Sequence, residues 1–228
     1  MLVTGAGKGV GLSTVKALLD HPRVNVIAVS RNTDGLRALR SATTTDRLEI
    51  LELDLLAPDA CEHLKTSVGG RRLNALVQNA GVLHKAEMGS HTRAALERVF
   101  ATNVFVPLEV SQALAPELSG DPPGHIVHIG SMGGFQDAAK FPGLVAYSSS
   151  KAALACIAQC LAEEFKDKGI RSNCLALGSV DTEMLRAAFP GYQALTSAEE
   201  MGAFIAEFSL NGHKLFNGKV LPVAATTP

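Results

Sequence analysis

The sequence predicts an α/β fold, a doubly wound parallel sheet of about seven strands with helices on both faces. Three observations predict it. Short β-branched or leucine-rich runs alternate with longer helical patterns, no linker or repeat interrupts them, and a glycine-rich turn separates the first apolar run from the first amphipathic one. Strands alternating with helices require right-handed crossovers, which build a parallel sheet covered on both sides and put the ligand site at the strands' carboxyl ends. The 228 residues read as one domain, 1–228. With 46% hydrophobic and 19% charged residues, disorder and collagen-like structure are excluded. A chain this long buries roughly 70% of its unfolded surface, so a core needs neither disulfide nor metal.

In chain order, strands are expected at about 1–4, 24–30, 47–53, 73–78, 125–130, 170–176 and 219–223. Helices are expected at about 9–20, 33–41, 58–68, 91–118, 147–167 and 197–209. The first run, Met1-Leu2-Val3-Thr4, starts without the basic and then apolar regions of a signal peptide, and no apolar run reaches the length of a membrane span. A cytoplasmic protein is therefore expected. Lys and Arg number 21 against 22 Asp and Glu, a net charge of −1, so no basic field exists to draw in nucleic acid or an anionic membrane. Cys61, Cys156, Cys160 and Cys174 form no CxxC or zinc-type grouping and read as reduced, buried thiols. The seven histidines show no metal-like spacing, and His125 and His128 should point to opposite faces of their strand, so no metal is assigned.

Thr4-Gly5-Ala6-Gly7-Lys8-Gly9-Val10-Gly11 joins the first strand to a helix carrying Leu12, Val15, Leu18 and Leu19. Glycine permits a tight turn and close backbone approach to a phosphate, and the helix N-terminus adds free N–H groups and a positive dipole end. A Rossmann-type phosphate-binding loop follows from strand, turn and helix together. Lys8 is followed by Gly9 rather than Ser or Thr, which excludes a Walker A loop. A strict GxGxxG also fails, because it would need glycine at Val10.

The spacing of Gly5, Gly9 and Gly11 resembles the TGxxxGxG of the short-chain dehydrogenase/reductase family. Gln78-Asn79-Ala80-Gly81 is similar to the family's NNAG, with Gln replacing the first Asn; Asn103, Ser131, Tyr147 and Lys151 then follow in the family's order, the last two as YxxxK. By general appearance the chain resembles the 3-oxoacyl carrier-protein reductases, which would make an acyl carrier protein a partner. The resemblance implies nicotinamide-dependent oxidoreduction, Asn79, Ala80 and Gly81 near the cofactor, and a homodimer or homotetramer. The short lead before the first strand departs from the family and leaves two readings, a true start upstream of Met1 or an unusually short first strand.

Tyr147 and Lys151 stand four apart, on one helix face with Leu154, Ala158, Leu161 and Phe165. A charge among core-facing residues needs a partner or a task. An ammonium beside a phenol favours the phenolate and is expected to lower the tyrosine pKa from about 10, toward proton exchange with a carbonyl or alcohol oxygen. Tyr147 is thus the expected general acid/base, with Ser131 steadying the charge developing on the same oxygen. The resemblance makes Asn103 a fourth catalytic member, holding a relay water through its main chain. Pro107, four residues on, cannot donate to the Asn103 carbonyl, which leaves that oxygen available.

After the second strand the chain reads Val29-Ser30-Arg31-Asn32, without the acid that receives ribose hydroxyls in NAD-selective proteins. Arg31 and Lys8 are expected to meet a 2′-phosphate, so NADP(H) is preferred over NAD(H). By resemblance Asp54 touches the adenine, and Leu177-Gly178-Ser179-Val180-Asp181-Thr182 occupies the place of PGxxxT, with Leu177 for the proline. That places Gly178, Val180 and Thr182 around the nicotinamide. Met184, Leu185, Phe189, Pro190, Tyr192 and Leu195 read either as a lid over an apolar substrate or as packing onto the core. His84 reads as a surface-loop residue that could line the site. The expected function is hydride transfer between NADP(H) and a carbonyl or secondary alcohol. The alternatives are a 3-oxoacyl carrier-protein reductase and, in a different class, a nucleotide sensor without turnover. Tyr147, Lys151 and Ser131 argue against the sensor, which needs no proton-transfer set.

Overall fold

A computed structural model describes residues 1–43 and 45–225. The first half alternates β1 (Leu2–Thr4), α1 (Gly9–Leu19), β2 (Val26–Ser30), α2 (Asp34–Thr43), β3 (Leu48–Glu52), α3 (Ala60–Val68) and β4 (Ala75–Gln78). Helical segments α4 (Arg93–Phe100), α5 (Val106–Ala113) and α6 (Ala115–Leu118) lead to β5 (Gly124–Ile129), and α7 (Val145–Glu164) leads to β6 (Ile170–Leu177). The chain closes with β7 (Val180–Asp181), α8 (Glu183–Ala188), β8 (Thr196–Ser197), α9 (Ala198–Asn211) and β9 (Val220–Val223). Seven strands pair in the order β3-β2-β1-β4-β5-β6-β9, every pairing parallel, while β7 and β8 form a separate two-residue pair. All seven expected strands are present. This Rossmann-type order reverses direction beside β1, so the crevice that takes ligands opens at the carboxyl ends of β1 and β4.

The period-two alternation of the central strands divides two cores. Val3, Val77 and Val127 face one way, with Val15 and Leu18 of α1 and Ile205 and Phe208 of α9. Their neighbours Leu2, Leu76 and Ile126 face the other way, with Leu64 of α3, Val110 of α5 and Leu161 of α7. Burial on both faces is what a parallel sheet requires, and it explains why these strands read as continuous apolar runs. As the alternation predicts, His125 points toward α9, where its Nδ1 lies 3.3 Å from the Ser209 carbonyl, and His128 points the other way, 3.3 Å from Ser172 Oγ. Among the described residues, no helix is long and apolar enough to cross a membrane.

Two expectations are corrected. The single helix expected at 91–118 is interrupted by a π-helical turn, Ala101–Phe105, where the Val106 N–H reaches back five residues to Ala101, and again at Leu114, ahead of α6. Each break precedes a proline, Pro107 or Pro116, which lacks the N–H that the preceding turn would need. The four cysteines are not all buried. Cys174 is, Cys61 is half-buried, and Cys156 and Cys160 are exposed on the outer side of α7.

Candidate active site

One cleft of about 1060 Å³ runs along the carboxyl ends of the strands. Gly5, Gly7, Lys8, Gly9, Val10 and Gly11 line one part of it, with Arg31 and Asp54 beyond them. Asn79, Ala80 and Gly81 line the middle, and Ser131, Tyr147 and Lys151 meet Gly178, Val180 and Thr182 at the other end. Of the residues expected at the site, Thr4 and Asn103 do not line the cleft, and both prove to be supports beneath it. His84 is not a lining residue either; its ring packs edge-on against His91, centroids 5.4 Å apart.

Thr4 is fully buried. Its hydroxyl accepts the N–H groups of Asn79 and Ala80, both at 3.1 Å, and Asn79 Nδ2 returns donors to the carbonyls of Thr4 at 3.1 Å and Gly5 at 2.9 Å. These bonds stitch the turn after β1 to the turn after β4, so the two lips of the crevice hold one spacing. They also leave no room for side chains. A Cβ on Gly11 would stand 2.3 Å from the Gly5 carbonyl oxygen, and one on Gly5, where φ is +63°, would stand 2.7 Å from Ala80 Cα. Gly9 differs: its nearest neighbour is Thr182 across the cleft at 3.5 Å. Sequence reasoning gave these glycines one purpose, close approach of a ligand. The structure gives most of them another, close approach of the protein's own backbone. Lys8, at the N-cap of α1, makes no side-chain capping bond, so no side chain takes the N–H groups of the helix's first turn.

Asn103 is also fully buried, inside the π turn. Its Oδ1 accepts the Val82 N–H at 2.9 Å, and its Nδ2 donates to the Val82 carbonyl and to Ser150 Oγ, both at 2.9 Å. Its side chain therefore pins the segment following Gly81 to α7. Its carbonyl cannot make an ordinary α-helical bond, because position 107 is proline. Gln78, the departure from NNAG, reaches the Pro107 carbonyl at 3.0 Å and Ser111 Oγ at 3.3 Å, holding the same turn from the sheet.

Tyr147 and Lys151 occupy the start of α7, whose inner face carries the expected Leu154, Ala158 and Leu161. The Lys151 ammonium is 4% exposed, donates to the Ile129 carbonyl at 2.8 Å, and lies 5.9 Å from the centre of the Tyr147 ring. Burial pushes its pKa down to about 8. Ser131, at the end of β5, accepts the Gly133 N–H at 3.1 Å, which fixes its hydroxyl at the carboxyl edge of the sheet beside the phenol. The expected depression of the Tyr147 pKa is not what the protein shows. Burial raises the phenol above its ordinary value, and the hydrogen bond from Ser131 only partly opposes this. The physical reason is that the ammonium is itself desolvated and is directed at a backbone carbonyl.

The basic positions are engaged. Lys8 Nζ meets Glu183 Oε2 at 2.5 Å, an ion pair that spans the cleft from the glycine turn to the first residue of α8 and holds the Glu183 pKa below the carboxylate range. Arg31 stands 4.0 Å from Asp54, whose Oδ1 accepts the Leu56 N–H at 3.1 Å. Thr182 caps α8 by accepting the Leu185 N–H at 3.2 Å. The segment after it does not pack onto the core: Met184 and Tyr192 are 45% and 49% exposed. Glu183 and Lys85, which braces α8, were not found from the sequence; their partners lie 175 and 103 residues away and leave no local signal.

The comparisons with known proteins agree with this geometry. The family described as short chain dehydrogenase matches residues 1–193. The protein FixR of Bradyrhizobium diazoefficiens is 35% identical over 193 residues, covering 81% of this chain and 68% of that protein. Carbonyl reductase [NADPH] 2 of Sus scrofa is 34% identical over 187 residues, covering 82% and 73%. Among solved structures, a Pseudomonas aeruginosa RhlG/NADP active-site complex superposes with a TM-score of 0.85 at 25% identity, covering 98% of this chain and 93% of that one. With its strand order, its paired glycine and NAG turns and its Ser-Tyr-Lys cluster all in place, the chain belongs to the short-chain dehydrogenase/reductase family, oxidoreductases that bind nicotinamide cofactors.

Proposed function

We propose that this protein transfers hydride between NADP(H) and a carbonyl or secondary alcohol, with reduction as its working direction. The observation that carries the reading is the convergence of Ser131, Tyr147 and Lys151 at one end of a cleft whose other end is the glycine turn and the uncapped start of α1. A nicotinamide dinucleotide fits this set: the first-turn N–H groups of α1 would hold its pyrophosphate, and Asn79 to Gly81 and Gly178 to Thr182 would hold its nicotinamide half. Bound there, it supplies the hydride. Tyr147 gives its phenolic proton to the substrate oxygen as the carbonyl carbon is reduced, so C=O becomes CH–OH. Ser131 donates a hydrogen bond to the same oxygen, and the Lys151 ammonium would offset part of the burial cost of the phenolate that remains. Asn103 keeps the Val82 segment bonded to α7, and its main chain is the proposed anchor of the relay water.

The preference for NADP(H) rests on Arg31 and Lys8, on the absence of an acid at the end of β2, and on the NADPH and NADP named for similar proteins. The test is NADPH consumption with a short β-ketoacyl thioester and a panel of simple ketones and aldehydes, with Tyr147→Phe alongside. The expected result is turnover of a carbonyl compound that Tyr147→Phe abolishes while NADPH still binds. Tight NADPH binding with no turnover of any compound would move the reading to a nucleotide sensor.

A further inference from the structure

At the Tyr147 end, the cleft wall is apolar and comes from three separate segments: Met132 after β5, Phe141 and Leu144 before α7, and Met184, Phe189 and Tyr192 from α8 onward. The Phe141 and Phe189 rings meet edge to face, with centroids 6.1 Å apart at 68°. Such a wall, facing a cleft instead of a core, is stabilised by an apolar group that enters it. Three of the cations near it are engaged. Arg186 is paired with Asp181 at 2.5 Å, Lys8 with Glu183 at 2.5 Å, and Lys85 donates to the Ala188 carbonyl at 2.9 Å. Arg98 also lines the cleft, but it comes from α4 and not from the segments that bear the two rings. A carboxylate or phosphate brought against the two rings would lose water without meeting, on the described segments that bear them, a cation that is not already bonded.

Lys85 ties two of these segments together, the one before α7 and the one from α8 onward. Its stem packs on Gly143, where a Cβ would stand 3.1 Å from Lys85 Cγ, and the neighbouring Ala86 N–H donates to the Gly143 carbonyl at 3.0 Å. Its head holds the last carbonyl of α8 and sits 4.2 Å from the centre of the Phe189 ring. Helix α8 has six residues, of which Ala188 alone is buried, so packing by itself does little to fix Phe189.

We propose that the substrate is an uncharged aromatic ketone whose ring is received by Phe141 and Phe189, and that Lys85 is the positioning residue that sets this specificity. The inference rests on the reductase reading above. Three compounds test it with NADPH: the 1,2-diketones 1-phenyl-1,2-propanedione and 2,3-butanedione, whose carbonyls are similarly activated and which differ as phenyl against methyl, and the 2-oxo acid phenylglyoxylate, which keeps the phenyl ring and adds a carboxylate. The phenyl diketone should exceed butanedione in kcat/KM by about tenfold, the scale of one aromatic contact plus ring burial, with phenylglyoxylate the poorest. Phe189→Ala should lower the phenyl-to-methyl ratio by about tenfold. Lys85→Met should raise KM for the phenyl diketone with little change in kcat, and Lys85→Arg should restore it; a merely structural role would lower kcat for all substrates together. Equal or better turnover of butanedione or phenylglyoxylate, or a ratio unmoved in a Phe189→Ala protein with a native melting curve, overturns the inference and leaves the reductase reading intact. NADPH binding with no reduction of any of the three, nor of the panel above, overturns both.

Discussion

Replacing Asn103 by Ala tests whether its side chain is a fastener or a participant in the reaction. The side chain makes three hydrogen bonds, to the N–H and carbonyl of Val82 and to Ser150 Oγ, and none of its surface is exposed. Ala leaves three polar groups without partners, each costing about 1 kcal/mol when partly screened, for a total near 3 kcal/mol. In a domain of this size, that corresponds to a fall of roughly 6–12 °C in melting temperature. Urea unfolding and thermal melts of the protein alone measure it. Ser150→Ala is the internal control: its hydroxyl makes one bond to Asn103 and one to the Tyr147 carbonyl at 2.7 Å, so by the same count the loss should be about two thirds as large. A melting temperature for Asn103→Ala within about 1 °C of wild type would refute the fastener account.

Two further outcomes follow from charges. Glu183→Gln releases Lys8 from its only acidic partner among the described residues, so NADP+ should bind about two- to fivefold more tightly at low salt while NAD+ changes less. Calorimetry with both nucleotides decides this, and equal shifts for the two would sink the link between Lys8 and the 2′-phosphate. His125 and His128 are both buried and are pushed down to about 3 from 6.5. The unfolded chain therefore binds more protons between those values, and stability should fall as pH drops below 6.5, by up to about 2.7 kcal/mol per pH unit for the two together. Urea midpoints from pH 7 to 4 would show the slope, and its persistence in a His125→Gln/His128→Gln protein would assign it elsewhere.

What was legible in the sequence depended on how local the cause was. All seven sheet strands could be read because each is a largely apolar run bounded by turn residues, and the five inner ones are buried on both faces by neighbours the alternation already implied. The interruption near Asn103 was half legible. Pro107 announced a missing bond, but whether the chain would bend, break or widen into a π turn depends on Gln78 and Ser150, 29 residues before and 43 after the proline. The Tyr147 prediction failed in sign because spacing gives proximity without burial. Helix periodicity brought the ammonium to the phenol's face, and only the fold shows that both are desolvated and that the ammonium turns to Ile129.

The two halves of the cleft are held in place differently, and that difference bears on specificity. Along the sheet's carboxyl edge, from the glycine turn to the proton-transfer set, backbone is bonded by wholly or partly buried side chains: Thr4 and Asn79 between β1 and β4, Asn103 between Val82 and α7, Lys151 to Ile129. Breaking any of these leaves a buried polar group unpaired, so this half tolerates little change and suits a ligand that is the same in every turnover. Around the aromatic wall, the fasteners are surface pairs such as Lys8–Glu183 and Arg186–Asp181, more than half exposed on both sides, together with the single strut Lys85. Contacts of that kind are individually weak and open to substitution at low cost to stability. A change of substrate can therefore be made at Phe141, Phe189 or Lys85 without disturbing the proton-transfer set, and a change of preference at the 2′-phosphate can be made at the exposed Arg31 and Lys8, whereas the turns proposed to hold the pyrophosphate and nicotinamide are fixed by residues that also hold the sheet's carboxyl edge together.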